Sequence, residues 1–428
     1  MAEVLRAELR VYDKAGPEGL LQSPRPMANL EGQADGVGKP SPALLIERAR
    51  TLASKVAAKA EEIDASDRLP DWLVAELRAS GLVETLVPEC YGGHELGLDT
   101  MIKIVLPFAA ACPSVGWVVA FYIGHNWLHC LAPEEMQREV YAHSRCVLSA
   151  GAMTPLFKLR PVEGGYIANG RGPWASGLPH ADWSMNAGFV EGREAAGPVT
   201  FFVPRQDYRL VENWSVTAMR ATGSHDVAVE EKFVPEHRIV STIEMMRGGT
   251  PGSKLHSNPM YALPVWPVTL CYVLPVLVGA LRGAANAYVG LAKKRTLNFV
   301  NMSTANQSAA LAGSQSALMR VGRGQAAASL AEGMLGDFVA RVTKPGAPMD
   351  PEHRIAFRTQ AALIGEFCQS TINKLMGGAG ASAFRENSPL QRYFRDVNML
   401  ANHAALDTEP ATEAYGKVIQ GLPFEGIV

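Results

Sequence analysis

The chain has 428 residues, 47% of them hydrophobic and 19% charged. That length supplies two or three domains around a large core, and that composition excludes a disordered chain. A formal net charge of −2 with no basic run leaves no electrostatic footprint for nucleic acid.

Residues 1–40 are rich in glycine and proline without periodicity and read as an N-terminal extension. The opening MAEVLRAELRVYDKAG carries acids and no long apolar core, which does not fit a secretory signal. Ser41-Pro42 supplies an N-cap and a first-turn proline, and Leu44, Leu45, Ala49, Leu52 and Val56 follow at helical spacing. Pro70-Asp71 opens a short helix that Gly81 closes. After a turn over Pro88–Gly93, residues 97–142 read as helices, with Glu134 and Glu135 in a first turn where the helix dipole favours acids.

The pattern changes near Cys146. Gly164-Gly165 between β-forming runs signals a hairpin over Val162–Asn169. Trp183–Val190, Val199–Val203 and Val227–Val234 add short strands. Helix returns with Leu270–Arg295, Gln307–Val342 and Ile355–Lys374, long segments whose small residues suit an antiparallel bundle. Leu255–Leu281 holds no Asp, Glu, Lys or Arg, long enough to raise a membrane span. Four prolines inside it favour a loop followed by a buried bundle helix, with no membrane as partner. The expected organisation is an extension (1–40), an N-terminal helical domain (41–144), a β domain (145–240) and a C-terminal helical bundle (241–428). This segregation is α+β rather than doubly wound.

Six cysteines form no CxxC pair. Zinc and a disulfide framework are both disfavoured, and buried thiols in a reducing cytoplasm are expected. No GxGxxG follows a strand, and GxxxxGK[ST], HExxH and GxSxG are absent.

The layout resembles the acyl-CoA dehydrogenase fold: an N-terminal helical domain, a middle β domain and a C-terminal four-helix bundle. Five strings carry the resemblance in order. They are Val87-Pro88-Glu89-Cys90-Tyr91-Gly92-Gly93, Met219-Arg220-Ala221-Thr222-Gly223-Ser224-His225-Asp226-Val227, Phe233-Val234-Pro235, Gly377-Gly378, and Tyr393-Phe394-Arg395-Asp396. Where many true dehydrogenases place a catalytic glutamate after the Arg-Asp pair, this chain has Ala404, which cannot take a proton. His403 stands beside it.

With Trp174-Ala175-Ser176-Gly177, Tyr415-Gly416 and Gly421-Leu422-Pro423, this block is similar to the group D flavin monooxygenases. These are the oxygenase components of two-component hydroxylases acting on p-hydroxyphenylacetate and steroid-ring phenols. The resemblance implies reduced FAD or FMN delivered by a separate NAD(P)H:flavin reductase. It also implies O2, a C4a-hydroperoxyflavin kept dry, hydroxylation of a phenol or indole, and a homotetramer.

It further implies site residues. Ser176, beside Trp174, is the expected partner of flavin N5, and otherwise a serine ending a strand. His403 is expected beside the oxygen, relaying a proton near neutral pH, and otherwise a capping or core histidine. His125 is expected to bind the substrate hydroxyl, although His129 one turn on competes for that place. A metal on this i, i+4 pair lacks its third ligand.

Ser149 is a candidate for substrate or cofactor, and Trp117 and Phe121 for the pocket wall or simply core. Arg295 is a candidate for flavin phosphate, and Gly377 and Gly378 for close approach of backbone to flavin. The alternatives are N- or S-oxygenation, an acyl-CoA dehydrogenase with a relocated base, and a non-catalytic flavin binder.

Overall fold

The computed structural model describes residues 39–294, 296–299, 307–310 and 313–424. Nearly all of the expected extension, and Arg295, lie outside the described residues. The first helix, α1 (Pro42–Ala58), starts where Ser41 accepts a hydrogen bond from Leu44 N, and it buries Leu45, Ala49, Leu52 and Val56. Next come α2 (Ala60–Asp64) and α3 (Asp71–Ser80), the latter ended by Gly81 at φ 75°. Then α4 (Leu98–Ala111) and α5 (Pro113–His129) turn back on each other at Cys112. They cross so closely that a Cβ on Gly116 would lie 2.6 Å from Ala109 Cα. A polar helix, α6 (Glu134–Tyr141), completes this part.

The strands are β1 (Ser149–Val162), β2 (Gly165–Gly172), β3 (Trp183–Val190), β4 (Val199–Pro204), β5 (Arg209–Val211), β6 (Asp226–Pro235) and β7 (Ile239–Ser241). They form one sheet in the order β5-β6-β2-β1-β3-β4-β7. The β1–β3 pair is parallel and the other pairings are antiparallel. Gly164, at φ 78°, makes the hairpin turn between β1 and β2. Most of β1 is unforeseen in the sequence, because Pro155 and Pro161 interrupt its strand signal.

A short α7 (Thr242–Arg247) leads to α8 (Val265–Lys294), whose most apolar window is 89% buried. It packs on α4 and α5, and on α9 (Gln315–Val342), α10 (Pro351–Gly377) and α11 (Pro389–Leu400). The last helix is α12 (Thr408–Ile419), against α10. The uncharged run is thus a core helix, each of its buried Leu and Val side chains contributing roughly 1.5–3 kcal/mol of apolar burial.

A helix boundary differs from expectation. Gln307–Ala310 is a strand paired with Thr296–Phe299, and α9 starts only at Gln315 behind the Ser314 cap. The pattern of small residues does not mark that boundary. Arg395-Asp396 lies inside α11, which Pro389 opens.

Candidate active site

The site is built on α5, which runs through the middle of the protein with helices on one side and the sheet on the other. All its residues are buried except Phe121, which is half-buried. Trp117, Phe121, His125 and His129 follow at i, i+4 and share one face. Phe121 lies 4.5 Å from the Trp117 ring, 5.1 Å from His125 and 5.3 Å from Tyr272 of α8.

His125 Nδ1 is 2.6 Å from the carbonyl of Ser149, the first residue of β1. A carbonyl only accepts, so Nδ1 carries the proton. Burial lowers this imidazole to a pKa of about 4, so it is neutral at pH 7 and its Nε2 is a bare acceptor. Nε2 has no partner among the described residues. His129 Nε2 instead meets the Ser149 hydroxyl at 2.7 Å, and its Nδ1 is sealed without a partner. The two histidines clamp one serine. His125 is the one beside half-buried Phe121.

His403 sits not on a helix but as the cap of a short turn between α11 and α12. Its Nδ1 accepts from Ala405 N at 3.2 Å. Desolvation lowers its pKa to about 4, so the neutral ring carries its one proton on Nε2. The neutral ring is the form favoured at pH 7, and in that form Nε2 is a donor. Its ring meets Trp117 edge-on at 5.2 Å.

The third component is the loop after β2. Trp174 is 61% exposed at φ 67°, a left-handed backbone unusual for tryptophan, and meets Trp214 edge-on at 5.3 Å. Ala175 N bonds to His225 O at 3.1 Å and Gly177 N to Thr222 O at 2.8 Å. Tyr122 OH donates to Gly177 O at 2.7 Å, and a Cβ on Gly177 would strike that ring. Ser176, held between these anchors, accepts from Trp117 Nε1 at 3.0 Å and meets Ser224 Oγ at 2.8 Å. Ser224 in turn meets Thr222 Oγ1 at 2.7 Å, and Thr222 donates to Met219 O at 2.8 Å. Asp396 Oδ1 accepts from Met219 N at 2.6 Å, tying α11 to this turn.

The structure therefore brings His403, Trp117, Ser176, Phe121, His125 and Ser149 together, with Trp174 two residues from Ser176. Gly377 and Gly378 stand elsewhere. Arg320 of α9 crosses over Gly378, whose carbonyl accepts from Tyr288 of α8 at 3.5 Å. No hydrogen bond or ring contact joins the glycines to the cluster among the described residues. In the sequence, Thr222, Ser224 and Asp396 stand only as marks of the fold. The closely spaced hydroxyls of Thr222-Gly223-Ser224 are the signal that points to them.

These residues suit an isoalloxazine ring. An exposed tryptophan face on a gripped loop, beside a hydroxyl with unused hydrogen-bonding capacity, fits a flat heteroaromatic with polar edges. Among the described residues, no carboxylate stands in the cluster to abstract a substrate proton.

Known proteins share this sequence pattern and fold. Residues 42–142 match the acyl-CoA dehydrogenase N-terminal domain and residues 271–408 its C-terminal domain. The "Pigment production hydroxylase" of Rhodococcus sp. (strain ATCC 21145) is 39% identical over 89% of this chain and 97% of its own length. The flavin-dependent monooxygenase oxygenase subunit HsaA of Rhodococcus jostii (strain RHA1) is 31% identical over 89% and 99%. The structure of XiaF from Streptomyces sp. in complex with FADH2 and glycerol superposes with a TM-score of 0.81 at 25% identity, covering 90% of this chain and 98% of that one.

The fold and site define an acyl-CoA dehydrogenase-type flavoprotein. Within that class, the chain belongs to the group D flavin-dependent monooxygenases, the oxygenase components of two-component hydroxylases. It is a reduced-flavin-dependent oxidoreductase that takes O2 as co-substrate.

Proposed function

We propose that the protein hydroxylates an aromatic ring bearing an O–H or ring N–H, of phenol or indole type. The observation that carries this is His125 Nε2, a neutral acceptor without a protein partner beside Phe121. A substrate hydroxyl donating to it fills that acceptor with a hydrogen bond worth about 0.5–1.5 kcal/mol. Substrates for N- or S-oxygenation that carry no O–H or N–H leave it unsatisfied, which favours the phenol or indole reading.

Bound reduced flavin supplies the electrons that activate O2. The chain's own residues do the rest. Phe121 and Trp117 wall the ring, and burial of α5 keeps water out. His125 polarises the substrate hydroxyl without removing its proton beforehand. Burial holds this imidazole at a pKa of about 4, which makes it a weak base. His403 presents Nε2–H from the Trp117 end, where it donates to oxygen. The same reading includes a separate NAD(P)H:flavin reductase and a cytoplasmic homotetramer. Light scattering of the purified protein checks the tetramer.

Binding of a phenol and its methyl ether to the protein loaded with reduced flavin tests the substrate reading. The ether, which cannot donate, is expected to bind at least tenfold more weakly. Equal binding overturns the assignment of His125.

A further inference from the structure

The hydroxyls at Ser176, Ser224 and Thr222 have one proton each, and their partners dictate where each proton points. Thr222 bonds to Met219 O, which only accepts, so the Thr222 proton is committed there. In the Thr222–Ser224 bond, Ser224 must therefore donate. In the Ser224–Ser176 bond, Ser176 must then donate. Trp117 Nε1 is a donor only and occupies one lone pair of Ser176. Ser176 is left with a single lone pair and no free proton. Thr222 is 2% exposed, Ser224 4% and Ser176 7%, so water cannot reverse the row from its middle.

We infer that this row makes Ser176 an acceptor-only contact that selects the redox state of the flavin, with Thr222 and Ser224 as positioning residues. The inference rests on the reading that Ser176 faces the flavin ring edge at N5. Reduced isoalloxazine carries N–H at N5, and the oxidised ring carries a lone pair there. An acceptor-only hydroxyl pairs with the first and opposes the second. The difference amounts to one buried hydrogen bond gained against one lone-pair clash, about tenfold or more in affinity. The preference suits an enzyme that must take up reduced flavin from another protein and let the oxidised form go.

Thr222→Val and Ser224→Ala test this, because both free the Ser176 proton. In Thr222→Val, Ser224 can donate to Ser176. In Ser224→Ala, Ser176 loses the acceptor that held its proton. Oxidised flavin is titrated by fluorescence and reduced flavin anaerobically by absorbance. Both variants are expected to bind oxidised flavin about tenfold more tightly than the parent, narrowing the preference for the reduced form. Trp117→Phe removes a donor without freeing a proton and is expected to keep the preference.

Gains that are absent in both hydroxyl variants, with reduced flavin still bound, overturn the inference. Ser176→Ala separates the two levels. If it leaves both affinities unchanged, the N5 placement itself is wrong. If it lowers reduced-flavin affinity while the hydroxyl variants change nothing, only the proton row is wrong.

Discussion

The two ends of the aromatic row on α5 hold histidines of opposite character. At one end, a backbone carbonyl from Ser149 takes the Nδ1 proton of His125 and leaves Nε2 an acceptor. At the other, the backbone N–H of Ala405 gives to Nδ1 of His403 and leaves Nε2 a donor. Both rings are desolvated to a pKa of about 4, so neither difference comes from charge. A peptide group sets the tautomer in each case. The pair teaches that one side-chain type supplies both an acceptor and a donor when the backbone around each is different.

Substrate affinity gives the largest test of this contrast. His125→Ala is expected to weaken a phenolic substrate about 10- to 100-fold while changing reduced-flavin affinity less than threefold. Equal losses for both ligands would erase the distinction between the two ends. Next comes coupling. His403→Ala is expected to keep flavin binding and yet release most of the consumed O2 as peroxide, measured as product formed per O2 used. His403→Gln, which restores an N–H donor, should recover part of the coupling. Recovery by a leucine at this position instead would show that His403 only fills space.

Acid stability is the third test. Each imidazole has its folded pKa depressed below the free value of 6.5. The stability it carries is present above pH 6.5 and is lost as the pH falls through about 4. For each ring that amounts to roughly 3 kcal/mol. Buried Asp396 runs the other way. Desolvation raises its pKa from 3.8 to about 7, so its contribution is present below pH 3.8 and lost as the pH rises through about 7. Asp396→Asn should therefore steepen the acid limb of a plot of melting temperature against pH between 6.5 and 4, and an unchanged limb would contradict this sign. The smallest effect is expected at Ser149→Ala. That variant loses the hydroxyl partner of His129, costing about 1–2 kcal/mol by denaturant titration. Substrate affinity should barely move, because His125 leans on the serine's backbone.

Much of the fold is legible because its signals are local. Ser41-Pro42, Gly81 and the Gly164 turn each act within a few residues, and the structure places a cap, a helix stop and a hairpin there. What escapes local reading depends on distant partners. Most of β1 is one case, since its prolines obscure a strand that β2 and β3 hold in register on either side. The site divides in the same way. Residue types at His125, Ser176 and His403 can be singled out from motif resemblance. The directions of their hydrogen bonds cannot, because they are set by Ser149, Ser224 and Ala405, brought in by the fold.

Helix α5 is also a ruler. Trp117 and His125 are eight residues apart on one face, a separation of about 12 Å at 1.5 Å per residue. All its residues but Phe121 are buried, which holds the helix in place. On the proposed seating at His125, a substrate hydroxyl stands at that distance from the end where Ser176 and His403 gather. Which ring carbon falls nearest that end is decided by the length of the helix between them. On that reading, a substrate longer or shorter by one ring position presents a different carbon.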